Sequence, residues 1–127
     1  MKSVDSNILL RAIVNDDVDQ AARAREVLRE NCFVSNSVFL ETAWVLKSFY
    51  GFERQLVVEA LQAILAAETV HVATLEGLSW ALSSFSSGGD IADMLHLVEA
   101  IGSDSFVTFD RQIGRIVDPP LPVNVLR

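Results

Sequence analysis

Apolar and polar positions follow two rhythms along this chain. In the longer stretches, apolar residues return every three or four positions, the period of a helix with one buried face. That period runs through "ILLRAIV", "DVDQAARAREVLREN", "SVFLETAWVLKSFYG", "FERQLVVEALQAILAA" and "LEGLSWALSSF", and again from Asp90 to about Ile101. In the second of these, Ala21, Ala24, Val27 and Leu28 form the inner stripe. Gly51 stops the third, a Ser/Gly linker at 86–89 follows the fifth, and Gly102 breaks the sixth. Between them lie short β-rich runs: "KSVD" (2–5), "CFVS" (32–35), "TVHVA", "SFVTF" and "PVNVL". A short helix is expected from about Arg111.

About five strands separated by helices predict an α/β domain: a mainly parallel sheet with helices on both faces. No internal repeat and no shift of composition marks a linker, so the 127 residues are expected to form one domain, 1–127. Half the residues are hydrophobic and mean hydropathy is +0.32, enough for a sizeable core. No apolar run is long enough to span a bilayer. The opening "MKSVDSNILL" carries an Asp where a signal peptide needs an unbroken apolar stretch, so a soluble, cytoplasmic protein is expected. Cys32 is the single cysteine. It can form no disulfide within the chain and reads as a small buried hydrophobe.

Net charge is −7, with a pI near 4.6. That balance argues against a protein held on nucleic acid by counterion release, but not against an enzyme that meets a phosphodiester through a metal ion. Arg23, Arg25 and Arg29 lie close together, as do Arg111 and Arg115; a solvated helix face accounts for either group.

The acids are more telling. In an open parallel sheet, ligands gather beyond the carboxyl ends of the strands. Asp5 closes "KSVD" and Asp110 closes "SFVTFD". Glu41 lies near the start of the helix after "CFVS", and Asp93 is in the first turn of the helix leading to "SFVTF". Right-handed crossovers would bring all four to one edge. Each has a plainer reading. Asp5 could cap the helix starting near Ile8, although Ser6 and Asn7 also offer caps. Asp110 could cap the helix from Arg111. Glu41 shares a face with Val38, Trp44 and Val45, so it is expected to be half-buried, with no Lys or Arg three or four positions away to balance it. Asp90, just after Gly88-Gly89, fits an N-cap and is read as a cap or a supporting group. Asp93 then falls at N3, where capping explains it less well. Four carboxylates in one crevice require a compensating cation. Oxygen-only ligands suit Mg²⁺ or Mn²⁺, and such ions activate water against phosphodiesters. His71 and His96 read as structural, buried or near a cap.

"VDSNILLRAIV", "SVFLETAWVL", "DIADMLHLVEA" and "FVTFDRQ", in that order, resemble the four acidic motifs of PIN-domain proteins, most closely the VapC toxins of type II toxin–antitoxin pairs. The resemblance covers nearly the whole chain. It implies a Rossmann-like, three-layer α/β/α fold and Mg²⁺- or Mn²⁺-dependent endoribonuclease activity, usually on tRNA or rRNA. It implies Asp5, Glu41, Asp93 and Asp110 as catalytic metal ligands, with Ser6, Asn7 and Thr108 orienting carboxylates or water. Arg111 and Arg115 are candidate contacts to RNA phosphates. The family also implies a homodimer and inhibition by a cognate antitoxin. Two other classes compete. A receiver-like signalling domain needs a late-strand lysine, and the two lysines, Lys2 and Lys47, are both early. A non-catalytic PIN-fold binding module would have no use for four intact acids.

Overall fold

The computed structural model describes residues 1–127. Six α-helices and five short strands alternate as the sequence pattern predicts. They fall into two compact units, Met1–Leu75 and Glu76–Arg127.

In the first unit β1 (Lys2–Ser3), β2 (Cys32–Phe33) and β3 (Val70–His71) pair in parallel in the order β1-β2-β3. Lys2 stands opposite Cys32 and Cys32 opposite Val70. The regular ladder is only two residues deep. Flanking bonds lengthen it: the Val4 N–H donates to the Phe33 carbonyl and the Val34 N–H to that of His71. Val4, Cys32 and Val34 are buried, and desolvation raises the Cys32 thiol above its usual pKa.

A polar side chain begins each helix that follows β1 or β2, because first-turn N–H groups lack partners within a helix. Asp5 caps α1 (Ser6–Val14), and Ser35 caps α3 (Asn36–Ser48). Asn15 ends α1 in the left-handed region, φ 59°, which Asn tolerates better than most residues. Asp17 then caps α2 (Val18–Leu28), whose fully buried face is Ala21 and Ala24. These small side chains let α2 approach α1, and Arg25 clasps the pair through the Ala12 carbonyl. Helix α3 buries Phe39, Thr42, Ala43 and Leu46, a stripe at helical spacing. Gly51 at φ 70° turns the chain after it, so that the Phe52 N–H reaches the Leu46 carbonyl. Helix α4 (Arg54–Ala66) buries Val57, Val58 and Leu61 and leads into β3.

In the second unit α5 (Leu75–Ser86) buries Leu78, Ala81, Leu82 and Phe85. Helix α6 (Ile91–Glu99) buries Ile91, Met94, Leu95, Leu97 and Val98. Gly89 in the connecting loop packs closely: a Cβ there would lie 2.8 Å from the Met94 methyl carbon and 3.1 Å from the Ser84 carbonyl oxygen. Strands β4 (Phe106–Thr108) and β5 (Val123–Val125) pair in parallel, Phe106 opposite Val123. Leu97, Ile113 and Leu121 form a core beneath Trp80, Phe106 and Val123.

One sequence expectation needs correction. The helix expected from Arg111 is a turn followed by a single 3₁₀ turn, Ile113–Arg115, ended by Ile116 in extended backbone. Pro119 and Pro120 follow closely, and Asp118 is left-handed at φ 50°. The five strands are all parallel, as expected for a three-layer α/β/α class, but their ladders are separate sets of three and two. No helix is long and apolar enough to cross a membrane.

The 3₁₀ turn rests on β5 at Gly114, where an added Cβ would collide with Val125. Gly114→Ala is expected to destabilise the protein by about 1–3 kcal/mol, the usual cost of overpacking. Urea unfolding of the two proteins measures it, and the paired change Gly114→Ala with Val125→Ala should recover part of the loss.

Candidate active site

The first unit brings three of the predicted residues into direct relation. Asp5 sits just beyond β1, in extended backbone, and its Oδ1 accepts the Ile8 N–H at 3.3 Å. Capping therefore falls to Asp5 itself rather than to Ser6 or Asn7. Asp5 is exposed, and the cap engages one of its two carboxylate oxygens. Ser6 is buried, and its hydroxyl donates a short hydrogen bond to Oε1 of Glu41 from α3. The serine thus ties the start of α1 to the second acid. Asp5, Ser6, Asn7 and Glu41 all line one open cavity of about 410 Å³.

Glu41 is exposed, not half-buried as the sequence suggested. Helix α3 turns Phe39, Thr42, Ala43 and Leu46 inward, which leaves Glu41 and Trp44 on the other side; Trp44 is 60% exposed. The sequence groups Trp44 with Val38 and Val45 on the Glu41 face, which is why half-burial is expected there. The partner that Glu41 lacks on its own helix is the Ser6 hydroxyl, a contact 35 positions away in sequence. One cationic side chain lines the cavity, Arg11, and it is paired with Asp16 at 3.2 Å.

The second unit assembles the other acids. Asp90 is the N-cap of α6 and accepts the Asp93 N–H at 3.1 Å, the capping role expected of it. Asp93 is half-buried in the first turn. Its carboxyl is pushed above the ordinary aspartate range by burial first, then by the negative charges of Asp90 and Asp110, while His96 pulls it back. Asp110 follows β4. Its N–H donates to the Thr108 hydroxyl at 2.9 Å, and its Oδ1 accepts the Gln112 N–H at 2.8 Å. Thr108 thus fixes the backbone that presents Asp110, and Asp110 opens the turn before the 3₁₀ segment. Asp90, Asp93 and Arg115 line an open cavity of about 680 Å³ with Trp80, Met94 and Gln112 among its walls. Arg111 is exposed and lies outside that lining.

The histidines divide. His71 is exposed and its Nε2 meets Asn31 at 3.2 Å, next to the β2–β3 ladder, in keeping with a structural role. His96 is exposed rather than buried, one turn along α6 from Asp93. The sequence reading passed over Arg11, Asp16, Phe49 and Tyr50 at the rim of the first cavity. The signal was present in "SFYGF", three aromatics packed around a glycine at a helix end.

Carboxylate and hydroxyl oxygens are the donors that hard divalent cations favour, so this residue set fits Mg²⁺ or Mn²⁺. No three acidic, histidine or cysteine side chains stand together in position to hold an ion. Asp5 and Glu41 belong to the first unit, Asp93 and Asp110 to the second.

A family model described as "PIN domain" matches residues 3–118, so the chain belongs to the PIN-domain family. Its members are generally divalent-metal-dependent nucleases that act on RNA. No curated protein matches the chain.

Asp93 holds its proton more tightly folded than unfolded. The folded state is therefore favoured by this group below its unfolded pKa, and that advantage is lost as pH rises through the folded pKa. Without metal, Asp93→Asn is expected to raise the melting temperature at neutral pH, with the difference closing below the ordinary aspartate pKa. Thermal melts across pH in EDTA check this. Asp5→Ala should cost about 1 kcal/mol through the lost cap, whereas Asp5→Asn, which still caps, should cost only a fraction of that; denaturant titration separates the two.

Proposed function

We propose that this chain is an endoribonuclease that hydrolyses RNA phosphodiesters with water, in the presence of Mg²⁺ or Mn²⁺, as the toxin of a toxin–antitoxin pair. The reading treats residues 1–127 as one cytoplasmic PIN domain that dimerises and is inhibited by a cognate antitoxin. Its main support is electrostatic: acidic side chains gather at two cavities, Asp5 with Glu41 and Asp90 with Asp93. Asp93 is raised partly by its acidic neighbours, and the cation beside Asp5 and Glu41 is already spent on Asp16.

In this mechanism Asp5, Glu41, Asp93 and Asp110 are the ligands. A bound divalent ion supplies Lewis acidity, lowering the pKa of water and neutralising charge on the phosphoryl oxygens. The protein does the positioning. Ser6 donates to Oε1 of Glu41 and so ties that side chain to the start of α1. The Ile8 N–H occupies Oδ1 of Asp5, freeing Oδ2. Thr108 fixes the Asp110 backbone, and Asp90, by capping α6, holds Asp93 in the first turn. Arg111 and Arg115 are assigned to phosphate contacts that set the register of the strand.

Incubation with total tRNA and rRNA should give discrete cleavage in Mg²⁺ or Mn²⁺ and none in EDTA. Asp5→Asn and Asp93→Asn, which keep local structure and remove charge, should each lower the rate about 100-fold or more, since ion binding is worth several kcal/mol to the transition state. Equal cleavage by all three proteins would trace the activity to a contaminant and remove the site. Expression should arrest growth, and co-expression of a cognate antitoxin should relieve it.

A further inference from the structure

The first cavity carries an aromatic surface that a metal site does not need. Phe49, the residue after α3, is 77% exposed, yet it lines the same 410 Å³ cavity as Asp5 and Glu41. It is not a loose side chain. Tyr50 meets it edge-on, with ring centroids 5.0 Å apart and planes at 84°. Phe52 meets Tyr50 in turn at 6.5 Å and 64°. The Tyr50 hydroxyl lies 3.5 Å from Oδ2 of Asp16, whose other oxygen holds Arg11. The left-handed Gly51 and the Phe52-to-Leu46 hydrogen bond fix the backbone of this cluster. A supported ring is thus held with most of its surface in water beside two carboxylates.

We propose that Phe49 is a stacking platform for one unpaired nucleobase of the RNA, next to the phosphodiester addressed by Asp5 and Glu41. The proposal rests on the ribonuclease reading and assigns it a contact: the base on the ring is unpaired, since a base inside a duplex cannot lie on it. The charge of the chain supports it. A protein of net charge −7 gains little from counterion release, and Arg11 is already neutralised by Asp16. Base–aromatic stacking needs no phosphate neutralisation and would add to the phosphate contacts assigned to Arg111 and Arg115. Stacking tolerates any base, so Phe49 sets strandedness rather than sequence. A cavity of this size falls within the roughly 300–1,000 Å³ range of sites for small ligands.

The test is binding of a labelled, sequence-randomised single-stranded RNA of about 12 nucleotides, with Ca²⁺ as the divalent ion. The comparison probe is an abasic strand of the same length. Phe49→Ala should weaken binding of the RNA roughly 5- to 150-fold, the range for loss of one stacked base. Phe49→Trp should restore it. The abasic strand should bind wild type and Phe49→Ala equally, and the salt dependence of RNA binding should keep the same slope in both. Equal RNA affinity for wild type and Phe49→Ala would overturn the proposal, as would an equal loss on the abasic strand. A dimer that falls apart on Phe49→Ala would also overturn it, by assigning the ring to a second copy of the chain. If wild type cleaves RNA while Phe49→Ala binds it normally, the platform alone is wrong. If wild type neither binds nor cleaves RNA, the ribonuclease reading fails with it.

Discussion

Parallel pairing between strands of two or three residues is the constraint on which the rest of this protein depends. Ladders this short cannot hold themselves together, so each strand is secured by the helices that flank it in sequence. A parallel strand that turns directly into a helix leaves the helix's first N–H groups at the strand's carboxyl end, where something must accept from them. At β1 that acceptor is Asp5 and at β2 it is Ser35. The groups that finish the backbone are therefore also the groups displayed at the mouth of the sheet. At Asp5 the cap engages one carboxylate oxygen and leaves the other outside it.

The electrostatics follow from the same placement. A negative side chain at a helix N-terminus is stabilised by the helix dipole. That offset lets Asp90, Asp93 and the neighbouring Asp110 coexist, at the cost of a raised carboxyl on Asp93. Around Asp5 and Glu41 the balance is struck by hydrogen bonds. Ser6 is buried and has its donor directed to Glu41, so an acid on the solvent side of α3 is anchored without a counter-charge. Both arrangements leave carboxylate oxygens available and a deficit of positive charge.

Much of this was legible in the sequence because it is local. Helical period, cap residues and breaking glycines placed all six helices and five strands, and the strand-end positions of Asp5 and Asp110 followed directly. What escaped was decided by partners far away in the chain. Trp44 shares with Glu41 a face expected to be half-buried, yet the buried stripe of α3 is set by Phe39, Ala43 and Leu46, which leaves the tryptophan exposed. Glu41 was assigned a burial it lacks, because the Ser6 hydroxyl that steadies it comes from another helix. The segment after Asp110 has the composition of a helix, but Gly114 must fit against Val125 and Pro119 shuts off propagation, so one 3₁₀ turn is all that forms. The aromatic cluster of Phe49, Tyr50 and Phe52 lay hidden in a stretch that periodicity treats merely as a helix end.

The burial of Cys32 has a practical consequence. It is the protein's lone thiol, wholly enclosed in the middle strand of the first ladder, and burial keeps it protonated. Thiolate is the reactive form, so alkylating reagents can reach and modify it only when that strand comes away from its neighbours. The chain thus carries its own clock for local opening: the pace of labelling counts how often the innermost strand is laid bare.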